Sequence, residues 1–140
     1  MERIWRRQWL YVAHGCMIPK PGDWLTWRIG ADSVIVARGE DGKVRAFHNT
    51  CRHRGSLICR EEQGAGPRFV CPYHRWTYGL DGHLMTRTER EFGADPKELG
   101  LHQVALQDTA GLLWVNLAKE PPDFSAPAQD IGSRLEHHGM

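Results

Sequence analysis

Two short tracts constrain this chain more than anything else in it. They are Cys51-Arg52-His53 and Cys71-Pro72-Tyr73-His74, separated by seventeen residues. Each offers one thiolate and one imidazole. The four side chains form a two-plus-two donor set. Such a set suits one tetrahedral zinc, or a [2Fe–2S] cluster in which two His replace two Cys on one iron. Zinc fingers usually pair like donors at short spacing, Cys with Cys and His with His, whereas each tract here mixes the types. Two loops that each carry a Cys and a His can straddle a two-iron cluster from opposite sides. The spacing favours iron–sulfur and leaves zinc as the alternative.

The rest of the sequence must supply a scaffold that holds two such loops rigidly. With 140 residues, 41% hydrophobic and 25% charged, the chain is long enough for one domain with its own core. No apolar run approaches the roughly 20 residues that span a bilayer, so no membrane helix is expected. The start, Met1-Glu2-Arg3-Ile4-Trp5-Arg6-Arg7, lacks the apolar stretch of a signal peptide. These features predict a soluble, cytoplasmic protein. In that setting the four cysteines, Cys16, Cys51, Cys59 and Cys71, are expected to bind metal or pack rather than form disulfides. A net charge of +1 gives no general case for nucleic acid or an anionic membrane as partner.

The periodicity reads as short strands separated by turns, and the predicted class is all-β with antiparallel pairing. Strands are expected at Trp9–Ala13, Trp24–Ile29, Ser33–Arg38 and Lys43–Phe47, then at Trp76–Tyr78, His83–Met85, Gln103–Leu106 and Leu112–Asn116. Asp41-Gly42 and Asp81-Gly82 mark hairpins, as does Gly111 at the end of a third turn. Helical signals are few. Arg3–Gln8 allows a turn or two, and Asp95-Pro96 through Gly100 reads as one short turn. From Lys119 to Pro127 the composition turns Pro-rich and reads as an exit linker, with a helix starting near Asp130. The expected division is 1–118 for the domain and 119–140 for the Pro-rich linker and the segment it leads into.

The residues around the two tracts are Asn49-Thr50-Cys51-Arg52-His53-Arg54-Gly55 and Phe69-Val70-Cys71-Pro72-Tyr73-His74-Arg75-Trp76-Thr77-Tyr78. They resemble the Rieske domain of ring-hydroxylating-type, non-haem iron oxygenase α subunits. Trp9 to His14, Pro21-Gly22-Asp23, Asp41 to Asn49 and Leu80-Asp81-Gly82 extend the likeness across most of the chain. The resemblance implies a Rieske fold of small antiparallel sheets with two cluster-binding hairpin loops. It implies that Cys51 and Cys71 bind one iron of a [2Fe–2S] cluster, and that His53 and His74 bind the other. It also implies one-electron transfer. Electrons from NAD(P)H would arrive through a reductase or ferredoxin and pass to a mononuclear Fe(II) that activates O₂. That iron would lie in a catalytic domain of the same or a neighbouring α subunit, in a parent protein that is typically trimeric. The substrate would be an aromatic ring or a quaternary amine. The alternative is a free-standing Rieske ferredoxin.

The family's mononuclear-iron motif, an Asp three residues before a His, is absent from this sequence. The chain alone is therefore expected to be inactive on substrate. Several departures from related patterns stand out. The extra Cys pair of cytochrome bc-type relatives is replaced by Ser56 and Tyr73. The Ser and Tyr that donate to the cluster sulfurs in those proteins are not evident. A low potential follows as an expectation, around −150 mV. Arg75 stands where Gly is usual. Cys59 and Cys16 fit no ligand position and are expected to pack. Trp76 and Tyr78 are expected to wall the site from water. The arginines between positions 51 and 75 outnumber the two glutamates, Glu61 and Glu62, and could steer an acidic donor.

Overall fold

The computed structural model describes residues 8–52, 55–73, 75–86 and 96–137. Among these residues, ten strands carry the fold. They are β1 (Leu10–His14), β2 (Asp23–Ile29), β3 (Asp32–Arg38), β4 (Val44–His48), β5 (Gln63–Ala65), β6 (Phe69–Val70), β7 (Thr77–Tyr78), β8 (Leu84–Thr86), β9 (Gln103–Thr109) and β10 (Leu112–Asn116). Among the described residues, single 3-10 turns occupy Gly15–Met17 and Pro96–Glu98, and one α-helix, α1, spans Ser125–His137. The all-β expectation holds. The helix expected at Arg3–Gln8 lies almost wholly outside the described residues.

The chain forms two compact units. One consists of residues 1–17 with 105–140, and the other of Ile18–Val104. In the second unit, antiparallel strands run in the order β5-β2-β3-β4, with Gln103 and Val104 at the start of β9 pairing onto β4. Val34, Ile35, Val36 and Ala37 are all buried, as befits a strand with neighbours on both edges and cover on both faces. A small sheet, β6-β7-β8, completes this unit. Its Phe69, Tyr78 and Leu84 join Ile35, Phe47 and Trp76 in one apolar cluster that also contains Cys51 and Cys71.

The Asp-Gly pairs do what the sequence predicts. In both Gly39–Lys43 and Gly79–His83, the first Gly N–H donates to the fifth residue's carbonyl, at 2.8 and 2.9 Å. The Asp carboxylate accepts from the N–H two residues on, at 3.0 and 3.2 Å. Gly82 has φ +89, and a Cβ there would sit 2.5 Å from the Phe47 ring, so the turn needs glycine twice over.

In the first unit, β10 pairs with β1 on one side and with β9 on the other. Phe124 is buried against Trp9 and Trp114, with ring centroids 5.0 and 5.6 Å apart, and the Trp9 indole N–H donates to the Pro122 carbonyl at 2.8 Å. Within the stretch expected as a linker, then, an aromatic anchor ties down the chain before α1. The helix begins at Ser125, earlier than the Asp130 onset expected. The Asp123 carboxylate accepts from the Ser125 N–H at 3.1 Å, and Pro127 falls in the first turn, where a missing N–H costs nothing.

Candidate metal centre

The first cysteine loop leaves β4 at His48. Asn49 follows and is almost fully buried. Its side-chain oxygen accepts from the N–H groups of Ile58 (3.1 Å) and Cys59 (2.9 Å). Its side-chain nitrogen donates to the Cys59 carbonyl (2.7 Å) and the Ser33 hydroxyl (3.1 Å). Every hydrogen-bonding position of the amide is used. One side chain thus closes the segment from Asn49 to Cys59 into a loop and pins it to β3. Inside that loop, the Cys51 N–H donates to the Ser56 carbonyl at 2.8 Å and the Gly55 N–H to the Cys51 carbonyl at 2.9 Å. Gly55 takes φ +76, a conformation that favours glycine.

The second cysteine loop joins β6 to β7, whose register pairs Phe69 with Tyr78 and Val70 with Thr77. The Cys71 N–H donates to the Trp76 carbonyl at 2.9 Å, continuing the ladder, and the Arg75 N–H returns to the Cys71 carbonyl at 3.0 Å. Arg75 has φ 58. The glycine usual at this position is thus explained by backbone conformation, and Arg75 accepts a strained geometry. The Thr77 hydroxyl donates to the Arg75 carbonyl at 3.0 Å and fixes the turn.

Both loops present a buried cysteine to the same apolar cluster, and none of the four cysteines is in a disulfide. Between the loops stands Tyr78, fully buried, its hydroxyl 3.3 Å from Cys51 Sγ. That hydroxyl also accepts the Arg52 N–H at 3.0 Å. Burial, and then the hydrogen bond with Cys51, push the phenol well above its ordinary range, so Tyr78 remains a neutral donor. Facing a thiolate at Cys51, the hydroxyl must be the donor. Contrary to the expectation from the sequence, a tyrosine hydroxyl is aimed at a cysteine sulfur. Trp76 and Tyr78 share the one face that alternation in β7 requires, but which sulfur the hydroxyl reaches depends on how the two loops meet. Arg52 is fixed as well, its guanidinium donating to the carbonyls of Glu98 (3.2 Å) and Gly100 (2.9 Å).

His53 and His74 lie outside the described residues. Cys59 is a buried thiol, as expected, and burial pushes it up to about 12. It is held neutral and poorly nucleophilic. Against the expectation that it packs, Cys16 is exposed within the 3-10 turn Gly15–Met17, where its N–H donates to His14 Nδ1 at 3.1 Å. Trp76 and Tyr78 are buried as expected. Three structural supports are not evident from the sequence. These are Asn49, whose signal is only an Asn placed directly after a strand, and the edge strands β5 and β6.

The donor chemistry fits an iron–sulfur cluster. Two buried cysteines on separate loops, one with a fixed hydroxyl donor, suit a pair of thiolates that must be desolvated and hydrogen-bonded at once.

Comparison with known proteins agrees. Residues 8–92 match the Rieske [2Fe-2S] domain family, and the chain belongs to it. It is 42% identical over 139 residues to the glycine betaine monooxygenase oxygenase subunit of Pseudomonas aeruginosa, covering 99% of this chain and 32% of that protein. It is 44% identical over 141 residues to the large oxygenase component of a naphthalene 1,2-dioxygenase system from Ralstonia sp., covering 97% and 32%. The fold superposes on a quaternary ammonium Rieske monooxygenase solved with L-carnitine, with TM-score 0.88 and 27% identity over 97% of this chain and 39% of that one. It also superposes on naphthalene 1,2-dioxygenase from Rhodococcus sp., with TM-score 0.87 and 32% identity over 96% and 32%. The chain thus spans about a third of the length of the curated relatives it matches. It is a Rieske domain of the kind carried by the α subunits of mono- and dioxygenases, and a Rieske domain implies a [2Fe–2S] cluster. No helix among the described residues is long and apolar enough to cross a membrane.

Proposed function

We propose that this chain is the electron-transfer domain of a Rieske non-haem iron oxygenase. Residues 1–118 form the domain, and 119–140 lead toward a catalytic domain. In this reading Cys51 and Cys71 hold one iron of the cluster, and His53 and His74 hold the other. The cluster supplies reversible one-electron chemistry, at a potential raised by replacing two thiolates with neutral imidazoles. The protein residues do the rest. Asn49 holds the first loop closed. The β6–β7 ladder holds the second. Trp76 and Tyr78 exclude water, and the Tyr78 hydroxyl donates to Cys51 Sγ. That last contact is the observation that carries the reading, because a hydrogen bond to a buried sulfur serves a bound thiolate and has little use at a plain packed thiol.

The donor would be a reductase or ferredoxin. The acceptor would be a mononuclear iron in the catalytic domain of the same or a neighbouring subunit. The likeness to glycine betaine monooxygenase and to naphthalene dioxygenase components is of similar strength, so the substrate of the whole protein would be a quaternary amine or an aromatic ring. Iron and acid-labile sulfide assay of the purified, anaerobically reconstituted chain should give about two of each, with visible absorbance that bleaches on one-electron reduction. His53→Cys or His74→Cys should lower the midpoint, since added thiolate charge disfavours reduction. A colourless protein carrying one zinc would overturn the reading.

A further inference from the structure

Beside Cys71 lies a groove of about 380 Å³ between two sheet edges, β5 and β6. Trp24, Ile58 and Phe69 line it, and Arg60, Arg68 and Val70 stand along it. Two of the exposed large hydrophobic side chains border this region, Val70 at 45% and Tyr73 at 63% exposure. They flank Cys71 in the chain. The Arg60 guanidinium sits 5.5 Å from the centre of the Tyr73 ring.

The described arginines fall into two groups, those whose side chains have partners and those without. Arg45 forms a two-pronged pair with Asp41, at 2.8 and 3.1 Å, and Arg134 pairs with Asp130 at 3.2 Å. Arg52 and Arg38 donate to backbone carbonyls. Among the described residues, the guanidinium groups of Arg28, Arg60, Arg68 and Arg75 have no carboxylate or carbonyl partner, and of these four Arg60 and Arg68 stand together along the groove. Glu61 is the one acid lining the groove. Exposed tyrosine and arginine around an apolar centre are the residue types that carry binding energy at protein interfaces. With a net charge of +1, the molecule as a whole is not a polyanion binder, so the positive charge is local.

We propose that this groove docks an acidic face of a protein electron donor. The inference rests on the proposed function and adds to it the place and chemistry of the docking surface. Unpaired guanidinium groups steer an acidic partner and pair with its carboxylates. Tyr73 and Val70 supply the apolar contact. The site also lies directly against the Cys71 loop, so a donor seated there reaches the proposed cluster position over a short distance.

The test uses an acidic plant-type [2Fe–2S] ferredoxin as probe and isothermal titration calorimetry as readout. Binding should weaken as salt rises, because charges more than about 10 Å apart are screened at 0.1 M ionic strength. Arg60→Glu with Arg68→Glu should weaken binding at least about tenfold. Tyr73→Ala should weaken it with less change in the salt dependence. Arg28→Glu, exposed on β2 and outside the groove, should leave affinity within about twofold. Far-UV circular dichroism confirms folding, and Arg60→Lys with Arg68→Lys should retain binding. Wild-type affinity in the double reversal variant would overturn the proposal. So would an equal loss in Arg28→Glu. So would self-association of the wild type in sedimentation that the double reversal abolishes, since the groove would then belong to a second copy. A colourless chain would sink the proposed function but leave the calorimetry to read docking by itself.

Discussion

Asn49 closes the first cysteine loop with one side chain. Among the described residues the second loop has no such hub: backbone pairing between β6 and β7 carries the chain to Cys71 and takes it away again at Trp76. In the first loop, the left-handed residue is Gly55, which adopts φ +76 without penalty. In the second it is Arg75, at φ 58, which does not. One loop therefore concentrates its stability in a buried amide and, among its described residues, places its left-handed conformation on a glycine. The other spreads its stability along a ladder and carries local strain. The same task, presenting a cysteine to the apolar cluster, is solved once by side-chain chemistry and once by backbone geometry. The two loops should therefore fail differently.

The largest effect is expected at Asn49. Asn49→Leu fills the space but strands the Ile58 and Cys59 N–H groups and the Cys59 carbonyl in a buried site. Each unsatisfied group costs about 1–3 kcal/mol, and they act together, so a loss of about 3–5 kcal/mol is expected in chemical denaturation. Cluster content should fall with it. No single polar deletion in the second loop should match that figure. If Thr77→Val, which removes the hydroxyl bond to the Arg75 carbonyl, destabilised as much, the contrast between the loops would collapse.

This asymmetry also sets what the sequence could reveal. The second loop was legible: Trp76 to Tyr78 and the Asp81-Gly82 turn follow period-two and turn rules, and the strand and hairpin appear where those rules put them. The short strands β5 and β6 were not, because Gln63-Gly64-Ala65 has almost no apolar pattern and Phe69-Val70 is too short to show a period. The first loop was legible only as a donor spacing. Asn49 acts on Cys59 and Ser33, ten and sixteen residues away, and no local rule reports such contacts. The start of α1 was read too late for a related reason. Its capping Asp123 and anchoring Phe124 sit within a Pro-rich run that on composition alone reads as linker. Cys16 was misplaced because burial of a lone thiol depends on what covers it.

Tyr78 joins the two loops, so its removal tests the link between them. Tyr78→Phe keeps the ring in the core and deletes the hydroxyl. The Arg52 N–H then loses its acceptor, which should cost about 1 kcal/mol of stability. The redox consequence is separate. A hydrogen bond to a sulfur stabilises the more negative, reduced state of a bound cluster more than the oxidised state. For a one-electron couple, each 1 kcal/mol of such preference is about 40 mV. Protein-film voltammetry should show the midpoint of Tyr78→Phe falling by some tens of millivolts. An unchanged midpoint with intact absorbance would mean that the hydroxyl serves packing alone. It would return the expected potential to the low value that a site without donors implies.

The smallest expected effect is a gain. Arg75 occupies a left-handed conformation that costs a residue with a Cβ about 1 kcal/mol relative to glycine. Part of that is offset, because glycine also frees the unfolded chain. Arg75→Gly should therefore stabilise the protein by about 0.5–1 kcal/mol in chemical denaturation. The hydrogen bonds from the Arg75 N–H to Cys71 and from Thr77 to the Arg75 carbonyl involve only backbone atoms of residue 75, so they survive the change. The matching substitution in the other loop, Gly55→Ala, should destabilise by a similar amount, since it installs at Gly55 the strain that Arg75 already bears. Opposite signs from the two substitutions would establish that the loops differ in where they store strain. A destabilising Arg75→Gly would mean that the guanidinium makes contacts that outweigh the backbone cost, and strain would then no longer distinguish the second loop from the first.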